Sequence, residues 1–560
     1  MRSPVPAAAP VPSAAPSSTT ATVLRAATRG QRRDLLRSVL LVVGHQLSEA
    51  AVPVVVGVAI DLAVGTGDVS ALLLWLTVVV GVFAVLATCG ATGYWLLQRA
   101  VLRAGREVRL DVAARVLDPG GGVLGRPGEL VGVASSDADR TARICNALAV
   151  VAGALAALIA GSAVLLQTSV SLALAVLLGV AVVLAASRIL ARPLVRRAEA
   201  EQHGLARATG AATDLVGGLR VLKGIGAERA ATEGYRRVSQ AALVARLHAA
   251  RLEGGYLTAT GALTGGLLVV VAVVGGRLAL SGSITIGQLV AALGLAQFLM
   301  EPLERLTGLG PLVAGARGAA GRVARVLAAP PAVTAGTQTM PTPRGDLQVH
   351  HRQLKLTVDA GEHVGLVAAD SADAQALLAV LARDADAEGR VTVDGIDLRA
   401  VTLDEARSAV LVARHDAVLF EGTLEDNLGD RVTSEVLVAS AVDDVVDGLP
   451  HGLRTVLGEA GRTLSGGQRQ RVALARALTV DSPVLVLHDP TTAVDAATED
   501  RMAAGLRRCR TGRTTVLVTS SPTLLSRCDR VLLVVEGAGV ADGRHADLVS
   551  DDRYRSVVLA

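Results

Sequence analysis

Hydrophobic and polar positions divide the chain near residue 325. Between Leu36 and Leu312 apolar residues continue for roughly 20 positions at a time with few charges, enough to cross a hydrocarbon core about 30 Å thick. They predict six membrane-spanning helices near 38–64, 71–97, 145–166, 169–190, 255–280 and 286–309. Past residue 345 the pattern becomes short β-like runs at 363–369, 409–413, 483–488, 514–520 and 530–535, alternating with helical segments. That alternation predicts a mostly parallel sheet covered by helices. The plan is a disordered tail at 1–30, a membrane domain at 31–325, a Pro/Ala/Thr-rich linker at 326–345 and an α/β domain at 346–560.

The tail is Ala, Pro, Ser and Thr with no apolar core, and no apolar segment follows the start as a secretory signal would require. Arg32-Arg33 reads as the basic flank of the first helix rather than a twin-arginine signal. Two long connections, 99–144 and 191–254, read as helical extensions that turn at Pro119-Gly120-Gly121-Gly122 and at Gly217-Gly218. Arginines set the orientation. They gather before span one (Arg25, Arg29, Arg32, Arg33) and in both long connections (Arg99 to Arg115, Arg188 to Arg236), whereas the turns around Thr66 and Thr168 carry none. Both termini are therefore expected in the cytoplasm. Trp75, Tyr94 and Trp95 form a thin aromatic belt. His45 and Glu49 are ionisable groups in span one, read as solvated or cavity-facing rather than as a proton relay, and Asp61 is expected at the outer interface.

Composition narrows the class. Of 560 residues, 51% are hydrophobic and 19% charged, with a mean hydropathy of +0.47, which excludes an ordinary soluble enzyme. The net charge of +4 is almost wholly arginine, since Lys223 and Lys355 are the only lysines. Its placement follows the cytoplasmic-side bias, so nucleic acid is not the expected partner. Abundant Ala and Gly with Arg in place of Lys point to a high-GC bacterial genome, and with the spans to the plasma membrane. Cys89, Cys145, Cys509 and Cys528 form no CxxC pair, which argues for inert thiols and against a zinc site or disulfide scaffold.

The sharpest motif is Leu464-Ser465-Gly466-Gly467-Gln468-Arg469-Gln470-Arg471 ahead of an Ala- and Leu-rich helical segment. A hydroxyl and two glycine amides at a helix N-terminus make a ready phosphate site. The motif resembles the signature of ATP-binding cassette (ABC) transporter ATPases. Asp489-Pro490-Thr491-Thr492-Ala493-Val494-Asp495 resembles the end of a Walker B strand with its D-loop. Thr455 to Glu459 resembles the segment that meets the membrane domain in ABC exporters, which marks Gly458 and Glu459 for domain coupling. The resemblance covers nearly the whole chain. It implies an exporter-type half-transporter, six helices followed by one α/β P-loop-NTPase-like cassette, with ATP and Mg2+ as cofactors.

Other positions depart from the family. Its phosphate loop ends in Gly-Lys-Ser/Thr, whereas this chain reads Ala368-Ala369-Asp370-Ser371-Ala372-Asp373-Ala374-Gln375. Ala374 takes the lysine position and Gln375 the magnesium-ligand position, while Ala368, Ser371 and Asp373 stand where glycines belong. Carboxylates there would repel a polyphosphate, and the missing charged hydrogen bond is worth about 1.5 to 3 kcal/mol. His415 replaces the Q-loop glutamine, His488 the Walker B aspartate, Asp489 the catalytic glutamate and Ser520 the switch histidine. No aromatic precedes the loop to stack on adenine, only His350 and His351. The pair His415 and His488 admits a metal reading that the spacing does little to support.

Since the family sandwiches ATP between one cassette's phosphate loop and the other's signature, these departures imply a heterodimer. Leu464, Ser465, Gly466, Gly467, Gln468 and Asp495 would then complete an ATP site whose nucleotide and Mg2+ are held by a partner subunit with intact Walker motifs. Membrane lipids and a small-molecule, lipid or peptide cargo are the other expected partners. A siderophore-type importer on the same fold, or a nonhydrolytic sensing or scaffold subunit, are the alternatives. The kept signature speaks against a scaffold.

Overall fold

The structure, a computed structural model, describes residues 19–384, 388–415 and 418–559, and does not describe the side chains of 192–200 and 459. It comprises two compact units, one of residues up to Ala113 with Arg126–Ala328, the other of Ala114–Gly125 with Ala329–Ala560.

The first unit is helical: α1 (Thr20–Arg29), α2 (Arg32–Ala59), α3 (Val69–Val116), α4 (Ile144–Thr168), α5 (Val170–Gly217), α6 (Glu228–Leu280), α7 (Ile286–Phe298), α8 (Met300–Thr307) and α9 (Leu309–Leu327), with α3 continuing into the second unit. Among the described residues six helical stretches are long and apolar enough to cross a membrane. Helix α1 lies inside the stretch expected to be disordered. Val23 and Ala27, four residues apart, are buried on one face, and the Thr19 side chain accepts from the Thr22 amide to cap it. Averaged over 30 residues, composition hides so short an amphipathic face; residues 1–18 lie outside the described residues.

Helices α3, α5 and α6 run 48, 48 and 53 residues. At 1.5 Å per residue that is roughly 70–80 Å, more than twice a bilayer core, so they continue as the long extensions the sequence predicts. Helix α5 ends at Gly217, and the chain returns through Leu219–Gly224 into α6. The last span is broken into α7, α8 and α9; Pro302 has no N–H for the Phe298 carbonyl, which places one break there. Leu165, Leu172, Val176, Val271, Leu295 and Leu299 fill the core, while Leu73, Leu74, Val80 and Phe83 on α3 face outward, as a lipid-facing helix requires. Helices α2 and α7 touch through their backbones: a Cβ at Gly287 would lie 2.0 Å from the Gly57 carbonyl oxygen. Asp61 caps α7, accepting from the Gly287 amide at 2.8 Å and from the Thr285 hydroxyl.

The second unit holds twelve described strands, β1 (Leu347–His351), β2 (Leu354–Val358), β3 (His363–Ala368), β4 (Arg390–Val393), β5 (Ile396–Asp397), β6 (Val410–Ala413), β7 (Gly422–Thr423), β8 (Val456–Leu457), β9 (Val484–His488), β10 (Thr514–Val518), β11 (Arg530–Val535) and β12 (Ala538–Gly543). The main sheet has the order β12-β11-β3-β10-β9-β6, parallel apart from the β11–β12 hairpin. Its five parallel strands are the five runs predicted from sequence. A four-stranded antiparallel sheet, β2-β1-β4-β5, was not predicted; its first two strands alternate buried and exposed residues, the mark of a one-sided sheet. Valines and leucines of both sheets share one core with helix α10 (Ser371–Ala382). A second core surrounds α11 (Gly466–Thr479) and α12 (Ala496–Cys509).

The stretch expected as a linker is folded onto this unit. Val333 is 2% exposed, the Gly336 amide donates to the Val401 carbonyl at 3.0 Å, and the amides of Ala332 and Val333 donate to the Gly120 carbonyl at 2.8 and 3.1 Å. Those bonds bring Ala114–Gly125 into the same unit. Gly122, at φ +87°, has the Pro330 carbonyl 2.0 Å from where a Cβ would stand, so the Gly cluster is a close approach as well as a turn.

Candidate functional site

Two helices of the second unit begin where the sequence places phosphate chemistry, and they begin differently. Helix α11 starts at Gly466 with Ser465 as its cap: the Ser465 hydroxyl accepts from the Gln468 amide at 3.2 Å, and the Gln468 side chain accepts from the Ser465 amide at 2.8 Å. This reciprocal box uses the third amide of the helix. Among the described residues no acceptor meets the amides of Gly466 and Gly467, the two that an anion could take. An open cleft of ≈ 490 Å³ lies against this end, lined by Gly466, Arg462, Arg469 and His415, and its cationic side chains suit an anionic ligand.

Helix α10 starts at Ser371, with only two residues between it and the end of β3. The Asp370 carboxylate caps it, accepting from the Ala372 amide at 2.9 Å, and the Ala369 amide is already spent on the Val534 carbonyl. A carboxylate tethered to the chain thus stands where an anion would be held. Ala374 points into the core beside Leu377 and Leu378, while Ser371 and Gln375 are exposed. The Asp373 carboxylate accepts from the Gly537 amide at 2.9 Å and lies 3.7 Å from the Arg352 guanidinium. Ala368 ends the strand.

His415 and His488 are brought together: their Nδ1 atoms are 3.1 Å apart with the rings edge to face, so one Nδ1 donates to the other. The His488 Nε2 lies 3.6 Å from the Asp489 carboxylate. Magnesium, a hard cation that prefers oxygen donors, does not fit this nitrogen pair. Among the described residues no group of three His, Cys, Asp or Glu is arranged to hold a metal. Ser520 is exposed two residues beyond β10, whereas its neighbour Ser521 donates to Glu499 at 2.7 Å. Asp495 caps α12, and the Thr498 amide holds its carboxyl below the ordinary carboxylate range. Leu464 is buried under the signature turn. Gly458 follows β8 with open space beside it; the side chain of Glu459 lies outside the described residues.

Sequence reading gave no role to Gln470, which ties these parts together. Its side-chain amide donates to the Asp489 carbonyl at 2.7 Å and the Thr492 hydroxyl at 3.0 Å, and its oxygen accepts from the Ala493 amide at 2.8 Å. Asp489 has φ +46°, a left-handed conformation uncommon for a non-glycine residue, and Gln470 bonds its carbonyl there. The signal was a polar residue on the buried face of an amphipathic helix.

A membrane unit of six spans and an α/β unit carrying this signature turn define a membrane protein built around a nucleotide cassette. Comparison with known proteins gives the family. Residues 35–303 match the ABC transporter transmembrane region and 351–492 the ABC transporter cassette. The chain belongs to the ABC transporters, with a multi-pass membrane domain fused to the cassette. A solved structure, described as a bacterial Atm1-family ABC exporter with ATP bound, shares the fold at a TM-score of 0.75 and 23% identity over 94% of this chain and 98% of its own. The multidrug efflux ATP-binding/permease protein of Mycobacterium tuberculosis is 33% identical over 401 residues, 68% of this chain and 34% of its own length. The ATP-dependent lipid A-core flippase of Bordetella avium is 30% identical over 293 residues, 48% of this chain and 50% of its own. The match thus spans about a third to a half of these relatives.

Proposed function

We propose that this chain is one subunit of a heterodimeric exporter in a bacterial plasma membrane, with both termini cytoplasmic, that couples ATP binding and hydrolysis to movement of a small molecule, lipid or peptide. What carries the reading is the contrast between two helix starts in one unit. At Gly466 two amides stay open toward a cationic cleft; at Ser371 the chain's own Asp370 occupies the end and Ala374 turns inward. The open end suits the terminal phosphate of an ATP molecule whose phosphate loop belongs to a partner subunit. The closed end leaves this chain a poor holder of nucleotide.

In this reading Ser465 and Gln468 fix the turn, the amides of Gly466 and Gly467 donate to the phosphate, Leu464 supports the turn from the core, and Asp495 orders the loop beside it. The partner supplies the magnesium site, the catalytic carboxylate and the switch histidine, since His415, His488, Asp489 and Ser520 here offer none of that chemistry in place. Closure of the cassettes on ATP would alternate access to the cargo path. Gly458 and Glu459 would pass that closure to the membrane helices. The relatives named for multidrug efflux and lipid A-core flipping support export as the direction. The mycobacterial relative's length, twice this chain's by the two coverage figures, is what two fused halves would give.

The test is ATP hydrolysis in lipid nanodiscs by this chain alone, by the chain co-expressed with an ABC half-transporter carrying an intact Gly-Lys-Ser/Thr loop, and by that pair with Ser465→Arg. The expected result is activity only in the pair, lost in the variant. Robust hydrolysis by this chain alone would overturn the assignment.

A further inference from the structure

The first half of α2 is two-sided. At about 3.6 residues per turn, Arg32, Arg33, Leu36, Arg37, Leu40 and Leu47 fall on one face, and all six are exposed, the leucines by 63, 70 and 47%. The opposite face carries the packing, with Leu35, Ser38 and Gln46 buried on it. There the Ser38 hydroxyl donates to the Gly93 carbonyl of α3 at 2.8 Å, and Val42 and Gln46 lie against Gly153 of α4. Both neighbouring helices thus leave the leucine face open.

The charge at its start is one-signed. Residues 25–37 hold five arginines and a single carboxylate, Asp34. The carboxylates close by are committed: Asp34 to Arg99 at 3.4 Å and to Arg103 at 3.1 Å, both on α3, and Glu107 to the Gln31 side chain at 2.9 Å. Among the described residues no carboxylate lies within ion-pairing distance of Arg32, Arg33 or Arg37. The bias of arginine toward one side of a membrane accounts for the number of these residues. It does not require that three of them stand unpaired on the same face as exposed leucines.

The spacing along that face matches a lipid. Arg33 and Arg37 are one turn apart, so both guanidiniums can close on one phosphodiester. Leu47 lies roughly 16 Å past Leu36 along the helix axis, about the hydrocarbon depth of one leaflet.

We propose that this face of α2 is a binding site for an anionic phospholipid of the bilayer. Arg33 and Arg37 hold the phosphate, Arg32 adds charge beside it, and an acyl chain lies along Leu36, Leu40 and Leu47. A zwitterionic lipid has the same phosphate but brings its own ammonium against the guanidiniums, so the site selects a head of net negative charge. This goes beyond the transport reading, because it holds for any cargo and any partner cassette.

Photolabelling tests it. The full chain is placed in phosphatidylcholine nanodiscs with a trace of phosphatidylglycerol that carries a diazirine on its acyl chain, and the label is mapped by peptide mass spectrometry. The competitors are unlabelled phosphatidylglycerol, phosphatidylethanolamine, and glycerophosphoglycerol, the same anionic head without chains. Label is expected to concentrate at residues 36–47, and phosphatidylglycerol to displace it at a mole fraction about tenfold below that of phosphatidylethanolamine. The chainless head should displace nothing. Arg33→Gln with Arg37→Gln should erase the preference, while Arg236→Gln with Arg237→Gln, the same loss of charge on exposed residues of α6, should keep it. Label spread evenly over the lipid-facing helices, equal displacement by the two lipids, or equal loss in both double variants overturns the proposal. Displacement by the chainless head would also overturn it, since that marks a site for a soluble anion. The label map and the head-group comparison on the unaltered chain decide even if a variant misfolds.

Discussion

Gln470→Leu isolates what holds the signature helix to the loop after β9. Leucine nearly matches glutamine in volume, so the change opens no cavity and its cost comes from three lost hydrogen bonds, to the Asp489 carbonyl, the Thr492 hydroxyl and the Ala493 amide. Fully buried, three such groups left unpaired would cost about 1 to 3 kcal/mol each. Thr492 and Ala493 are exposed, however, and can turn to water, while Asp489 is half-buried. The carbonyl then costs about 1 kcal/mol and the other two about 0.5 kcal/mol each, roughly 2 kcal/mol in all. Hydrogen exchange read by mass spectrometry on the full chain in nanodiscs should show it. Amides from Asp489 to Asp495 should lose protection by about 30-fold, the ratio that 2 kcal/mol implies, with little change in β3 and β11. Unaltered exchange at 489–495 would refute the idea that Gln470 anchors this loop, and a uniform loss through the sheet would mean that it supports the whole unit instead.

Three further outcomes follow from the geometry. Gly287→Ala, whose new methyl would press on the Gly57 carbonyl, should lower the thermal midpoint of the full chain in nanodiscs, while Gly276→Ala, with open space around it, should not. Asp370→Ala should cost the cassette about 1 kcal/mol in a denaturant titration through loss of a helix cap, and nucleotide binding by this chain alone should not rise, because Ala374 still faces the core. Burial pushes the Cys528 thiol up to about 12 from 9.0, so it should resist maleimide at pH 8. The folded state favours its protonated form; that contribution is complete below about pH 9 and should be lost as pH climbs toward 12.

The sequence made the large features legible because each rests on a long or repeated signal. Six apolar runs need no tertiary knowledge, and the five parallel strands read as continuous apolar runs because both faces are covered. Helix α1 was missed because only Val23 and Ala27 mark its buried face. The linker was misjudged because Pro and Ala suggest an open chain, whereas the amides of Ala332, Val333 and Gly336 find partners far away in sequence. At the candidate site the departing residues could be named only by laying the chain against the motifs of the family it resembles. Their consequences needed coordinates: that Ala374 turns inward, that Asp370 caps its own helix, and that two histidines 73 positions apart share a proton position.

The start of α10 also limits how this helix end can change. Were a mutation to place lysine at position 374, the ammonium would enter an aliphatic core at a site 7% exposed, with Asp370 still closing the helix end. A glycine at 371 or 373 alone would only weaken the first turn of a helix that has already formed. Each of these single substitutions therefore loses stability before it could gain a ligand. Cap, core and helix start act together as a lock: each supports the other two, so this helix end resists remodelling one residue at a time.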